Sequence, residues 1–285
     1  EFGVDYNAAV VVITLADGPS QGLVGASSTY QGVSGSGSEV MPYRLRVSLR
    51  KAPYDGTNPQ MVLGTTGAND DHPSWSPDGA SLAIESTISG QSSYQQIYLK
   101  SLSGGSPTRL YPQSVKQSEP DWSPRGDVVA FAQDSSAGTQ QDIWIASPTT
   151  NQGHRLTFNY GGRSNLPAFR SDGQWVAYVH SPVYVGNQVY DTYEIRMAKI
   201  DGTADVAVMT PGIEFPVVDA PITSLRWSPN GEELFFARRD SLFSVYATGG
   251  PPVPRTRLAP AAVSADMRAG SRQFLFEQNS SFRWT

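Results

Sequence analysis

The chain has no cysteine, so disulfides, thiolate nucleophiles and zinc sites built on cysteine are excluded. Histidine is scarce: only His72, His154 and His180 occur. His72 and His180 could both reach one rim of the fold and, together with Asp71 or Glu119, hold a metal, but no ligand spacing supports this, so they are read as solvated or capping groups. No metal or other cofactor is expected. None of the 21 basic residues forms a run, which argues against a nucleic-acid surface, because phosphate binding needs clustered positive charge. No apolar stretch approaches the length of a membrane-spanning helix. A Gly-X-Ser-X-Gly nucleophile elbow is missing, and GVSGSGS at 32–38 lacks the lysine and the strand-to-helix setting of a phosphate loop. Asp78, Asp172 and Glu232 fall in turns, where they read as hairpin residues rather than paired catalytic acids.

What the sequence does have is turn chemistry. With 27 glycines, 21 prolines and only 16% charged residues, it suits many short strands joined by tight turns, and 285 residues fits one large all-β domain. A phrase recurs along it. HPSWSPDGASLAIES, residues 72–86, is followed by EPDWSPRGDVVAFAQ, LPAFRSDGQWVAYVH and SLRWSPNGEELFFAR, and a worn copy reads SADMRAGSRQFLFEQ. The glycine position passes from Gly79 to Gly126, Gly173, Gly231 and then Ser271, steps of 47, 47, 58 and 40 residues. That is the size of one four-stranded propeller blade.

Each copy predicts a strand, a turn closed by a left-handed glycine, and a second strand. Apolar triplets follow the glycine: Leu82-Ala83-Ile84, Val129-Ala130-Phe131, Val176-Ala177-Tyr178 and Leu234-Phe235-Phe236. A continuous triplet implies a strand covered on both faces. Third strands are expected at Ile97–Leu99, Ile143–Ile145, Ile195–Met197 and Leu242–Ser244, and fourth strands ending at Leu110, Thr157, Thr210 and Leu258. Trp75, Trp122, Phe169 and Trp227 share one position, where a large ring can wedge between sheets. Pro73, Pro120 and Pro167 are expected to begin the first strands. Residues 1–66 read as a degenerate first blade, with Ala9–Leu15, Arg44–Leu49 and Met61–Leu63 as its later strands and a flexible Gly/Ser insertion at 18–42. The last unit supplies strands near 263–267, 273–278 and 281–285, with no fourth.

These motifs resemble the repeat of TolB-like propellers, also called WD40-like or PD40 repeats, over about residues 43–279. The repeat and the resemblance together imply an all-β, six-bladed β-propeller of four-stranded antiparallel blades, the last blade being either short or completed by the N-terminus. One domain over 1–285 is expected, with blades at 1–66, 67–112, 113–159, 160–212, 213–259 and 260–285. It further implies a noncatalytic binding platform, often extracytoplasmic and bacterial. A start at Glu1 rather than Met fits a trimmed signal peptide, anchor or neighbouring domain. Similar propellers also serve as sensor ectodomains, as gating domains of prolyl-oligopeptidase-like peptidases and as metal-assisted polysaccharide lyases, which is the alternative reading.

The repeats vary most between second and third strands: turn glycine to third strand spans 18, 17, 22 and 11 residues. In a propeller those loops share one face with the entries to the first strands, around the channel mouth, and loops on a rigid scaffold carry recognition. The candidate site is therefore Asp71, His72, Glu119, Arg163 and Asn165, with Tyr184 and Tyr190 in the loop HSPVYVGNQVYD. The expected partner is a protein or peptide bound by a monomer, with no nucleic acid involved.

Overall fold

The computed structural model describes residues 16–18, 22–30, 45–52, 60–63, 70–88, 94–158, 162–181, 184–185, 188–189, 193–209, 221–238, 241–257, 265–267, 274–278 and 281–284. Among these there are strands and turns and no helix.

The strands form consecutive antiparallel meanders. The first sheet runs β1 (Ala16–Gly18), β2 (Gly22–Tyr30), β3 (Leu45–Ala52), β4 (Gln60–Leu63), in that spatial order. The second runs β5 (Asp70–Trp75), β6 (Ser81–Ser86), β7 (Gln96–Ser101), β8 (Thr108–Arg109). The third comprises β9 (Gln117–Trp122), β10 (Val129–Asp134), β11 (Gln141–Ala146) and β12 (Gly153–Arg155). The fourth has β13 (Arg163–Phe169), β14 (Trp175–Ser181), β17 (Glu194–Lys199) and β18 (Asp205–Met209), with a two-stranded ladder, β15 (Tyr184–Val185) and β16 (Gln188–Val189), inserted between β14 and β17. A fifth sheet, β19 (Ile222–Trp227), β20 (Glu233–Arg238), β21 (Ser241–Tyr246) and β22 (Val253–Arg257), precedes β23 (Ala265–Met267), β24 (Phe274–Gln278) and β25 (Ser281–Trp284). Among the described residues no sheet closes on itself. The third and fourth sheets touch through one parallel pair, Gln141 with Arg163, where the Gln141 N–H donates to the Gly162 carbonyl at 3.2 Å.

The repeated phrase explains this arrangement. In the turn after the aromatic, the Gly79 N–H donates to Ser76 O and the Ser76 N–H to Ser81 O, both at 2.9 Å. Gly79, Gly126, Gly173 and Gly231 all have φ between 64° and 77°, the left-handed conformation that glycine adopts without a Cβ clash. The following triplets are buried on both faces: Leu82, Ala83, Ile84, Val129, Ala130, Phe131, Val176, Ala177 and Tyr178 are fully inaccessible.

The aromatic seals one sheet against the previous one. Half-buried Trp122 packs on a cluster of Ala83, Ile97, Leu110 and Phe131 drawn from the second and third sheets. Phe169 joins Ala130, Ile143 and Ile145 of the third sheet, and Trp227 joins Ala168 and Ala177 of the fourth. Burying each such ring removes roughly 150–250 Å² from water.

Three expectations are corrected. Residues 22–30, read as part of a flexible insertion, form β2, which pairs with β3 from Leu23↔Ala52 to Tyr30↔Leu45. Val24, Thr29 and Tyr30 suit a pleated surface, and the long ladder outweighs the glycines' entropic cost. The proposed second strand at 9–15 lies outside the described residues. Pro73, Pro120 and Pro167 do not begin their strands but sit inside β5, β9 and β13 at register shifts. A bulge leaves an unpaired position on the bulged strand, which is where a residue without an N–H is tolerated. Finally, two fourth strands end one to two residues earlier than expected, at Arg109 and Arg155, while Thr210 and Leu258, expected to end the other two, lie outside the described residues.

Candidate functional site

The bulges occur midway along the first strands. There, His72-Pro73 lies opposite Ile84 alone, Glu119-Pro120 opposite Phe131, and Leu166-Pro167 opposite Tyr178. The residue before each proline has positive φ: 45° at His72, 56° at Glu119 and 51° at Leu166. The left-handed region is strained for side chains of these types, and a following proline narrows the choice further.

At the second and third of these bulges a carboxylate from the preceding sheet accepts the strained residue's N–H. The Glu119 N–H donates to Glu85 Oε2 at 3.2 Å, and the Leu166 N–H donates to Glu119 Oε2 at 2.7 Å. Glu85 is also 3.1 Å from His72 Nδ1, with the Glu85 side chain buried and the His72 side chain 37% exposed. Leu166 has no carboxylate to pass on, and the next sheet has neither proline nor positive φ at the matching position, Ser224. At the seams entering the third, fourth and fifth sheets, the acid and the strained bulge thus occur together or not at all.

Desolvation raises the Glu119 carboxyl above its ordinary value, the nearby Glu85 adding to the effect, while the Leu166 N–H, His72 and Lys116 pull the other way. His180 is shifted down, chiefly by burial, with Glu194 opposing. Its Nδ1 lies 3.2 Å from the buried Ser164 hydroxyl.

The structure brings part of the predicted site together. Asp71 lies in β5 opposite Glu85, and His72, Glu85 and Glu119 form one cluster. Arg163, at the start of β13, meets Asp134 at the end of β10 at 3.2 Å, so second-strand ends and first-strand starts of neighbouring sheets do converge at one end. Arg163 remains 45% exposed in that pair. Asn165 lies beside Leu166 with Oδ1 buried and without a hydrogen-bond partner. Tyr184 belongs to the β15–β16 ladder, pairing with Val189, and Tyr190 lies outside the described residues. Asp71, His72, Glu119, Arg163 and Asn165 lie within first strands, not in the connections before them as the sequence suggested. Among the described residues no group of three His, Asp or Glu side chains is placed to hold a metal ion.

Sequence reasoning missed Glu85. Its signal was a carboxylate at the position filled by Ala132, Val179 and Ala237 in the three other clear copies, a charge in an otherwise apolar run. It also missed two exposed aromatics at the same end, Tyr94 and Phe158, the latter carrying the Arg155 guanidinium 4.9 Å above its ring.

No protein-family description matches the chain. A stretch of 106 residues is 33% identical to the Tol-Pal system protein TolB of Francisella tularensis subsp. mediasiatica, covering 37% of this chain and 24% of that protein. The match thus spans about a quarter of that relative's length. In fold, the chain is similar to TolB from Acinetobacter baumannii, with a TM-score of 0.61 at 20% identity over 85% of this chain and 54% of that one. It is also similar to an oligogalacturonate lyase from Vibrio parahaemolyticus, TM-score 0.57 at 12% identity over 82% and 69%. One of two prolyl endopeptidases analysed for inter-domain dynamics gives a TM-score of 0.55 at 14% identity over 93% and 39%.

Proposed function

Starting from a TolB-like β-propeller, we propose that the chain is a six-bladed, single-domain recognition platform over residues 1–285 whose working face is the strand-entry end. The observation that carries this reading is the convergence at that end of exposed Arg163, Tyr94 and Phe158, next to the strained, cross-sheet-bonded Glu119 and Leu166. Strained backbone clusters at binding and switching sites. Arg and aromatic side chains are the residue types enriched where proteins meet. Asp71, Asn165, Tyr184 and Tyr190 complete the proposed rim.

The proposed partner is a protein or peptide, bound without catalysis by a monomer, in an extracytoplasmic setting of a bacterium. The likeness to a Tol-Pal system protein supports that setting, and no helix among the described residues is long and apolar enough to cross a membrane. Binding to a purified partner, measured for the unaltered protein and for a variant carrying Arg163→Ala, Tyr184→Ala and Tyr190→Ala, tests the face. A loss of at least about tenfold in affinity supports it, since interface anchors typically carry more than 1 kcal/mol each. Unchanged affinity rejects it.

A second reading, a propeller enzyme or the gating propeller of a peptidase, draws on the fold likeness to a lyase and to a prolyl endopeptidase. Stoichiometric transition metal that is lost on His72→Ala or His180→Ala would favour the lyase.

A further inference from the structure

We propose that Asn230 is a self-modification site: its side-chain amide is lost to the Gly231 nitrogen, deamidating the turn between β19 and β20 whenever that turn opens. The chain has nine asparagines, and Asn230 alone is followed by glycine, whose missing side chain leaves the attacking nitrogen unshielded. The Gly231 nitrogen loses its proton and forms a bond to Asn230 Cγ. The Cγ–Nδ2 bond breaks, and ammonia departs carrying that proton. Water then opens the resulting five-membered imide at either carbonyl, leaving aspartate or, with the main chain rerouted through the side chain, isoaspartate.

The folded turn holds both reactants away from this step. The Gly231 N–H donates to Ser228 O at 2.8 Å, so its proton is not free to leave. Asn230 Oδ1 accepts from Ser228 Oγ at 2.6 Å and from the Glu232 N–H at 3.2 Å, while Nδ2 donates to Glu232 Oε2 at 2.6 Å. Ser228 Oγ is itself fixed by the Glu233 N–H at 2.9 Å. Reaction therefore runs through openings of the turn, whose free energy sets the rate. Asp78 and Asp172 fill the same position in two other copies, accepting from the N–H of Ala80 at 3.0 Å and of Gln174 at 2.9 Å. Of these three, Asn230 is the one with an acid, Glu232, two residues on. Deamidation turns the bond between Nδ2 and Glu232 into a pair of carboxylates. Isoaspartate in addition lengthens the main chain beside Gly231, where a Cβ would already lie 3.0 Å from Arg170 Cγ, just after β13. The modification thus loosens the seam between the fourth and fifth sheets.

The test follows Asn230 by peptide mapping with mass spectrometry at 37 °C and pH 8, in the folded protein and in the same chain held unfolded in guanidinium chloride. Asn230 is expected to be the first asparagine converted in the unfolded chain, and to convert at least about tenfold more slowly in the folded one. Glu232→Ala and Ser228→Ala each remove one partner of the amide. Each is expected to raise the folded rate, relative to the unfolded rate of the same variant, by at least about threefold. Earlier conversion of another asparagine in the unfolded chain, equal rates in the two states, or a ratio unmoved by Glu232→Ala overturns the proposal. Glu232 is exposed, so its variant decides even where Ser228→Ala fails to fold. Asn230→Asp reads the product: at low salt its urea midpoint lies below that of the unaltered protein, and adding Glu232→Gln closes the gap. No gap at low salt contradicts the loosening.

Discussion

The Trp227 indole N–H donates to the Ala168 carbonyl at 2.9 Å, joining the fifth sheet to the fourth. At the two preceding seams the residue matching Ala168 does the work with its side chain. Ser74 Oγ accepts the Trp122 N–H at 2.8 Å, and Asp121 Oδ2 accepts the Phe169 N–H at 2.6 Å. Alanine has no such acceptor, and there the ring nitrogen reaches a backbone oxygen instead. One position in the repeat is thus committed to bonding the next sheet, by whichever atoms the local sequence provides.

Removing these bonds has a graded cost. Trp227→Phe keeps most of the apolar ring but strands the Ala168 carbonyl, and is expected to destabilise by about 1 kcal/mol. Trp227→Ala also opens a cavity and is expected to cost about 3–5 kcal/mol. Ser74→Ala leaves the Trp122 N–H without its acceptor, at about 1–3 kcal/mol. Urea unfolding midpoints with unchanged m-values check all three.

The turn glycines are not equivalent. A Cβ on Gly173 would lie 2.6 Å from Arg125 Cδ, whereas one on Gly126 meets nothing closer than Pro77 Cγ at 3.8 Å. Both have positive φ, so alanine is strained at each, at about 1 kcal/mol or more. Gly173→Ala is expected to cost more than Gly126→Ala, and most of the excess should disappear when Arg125 is also changed to Ala, leaving the closer approach to Ser123 Oγ at 3.2 Å. Thermal or urea denaturation of the double-mutant cycle measures that excess directly.

Glu119 sets a pH dependence of global stability. Its folded-state value lies above the ordinary 4.5, so the folded chain binds more protons than the unfolded one in between, and stability falls as pH rises through that window. Glu119→Gln removes the ionisable group. The variant is expected to exceed the unaltered protein in stability at pH 8, with the difference shrinking as pH drops to 4.5. His180 runs the other way: burial lowers it below 6.5, so the stability it contributes is present above 6.5 and is lost as pH falls toward its folded value. In His180→Phe that acid-side loss should be reduced, and parallel urea titrations of the two variants at several pH values separate the contributions.

Much of the fold was legible because the repeat writes local chemistry in register. Gly79, Gly126, Gly173 and Gly231 adopt the left-handed turn that the Pro-Asp-Gly pattern calls for, and the apolar triplets are the doubly covered strands. What stayed hidden depends on neighbours far along the chain. Proline looked like a strand opener because its lack of an N–H is most easily tolerated there, but Pro73, Pro120 and Pro167 use bulges, and the strained residues before Pro120 and Pro167 are held from another sheet. Glu119 and its Leu166 partner are 47 residues apart, a distance no local pattern bridges. The strand at 22–30 was missed because four small polar or glycine residues weaken its own propensity, and only pairing with 45–52 makes it one.

The recognition claim rests on which end of the sheets meets a partner. The most direct measurement is photo-crosslinking in living cells from a benzophenone side chain placed at Arg163, at the strand-entry end, or at Asp201, in the turn between β17 and β18 at the opposite end. The account predicts one discrete protein adduct from position 163 and none from 201. Adducts from 201 alone, or equally from both, would contradict it.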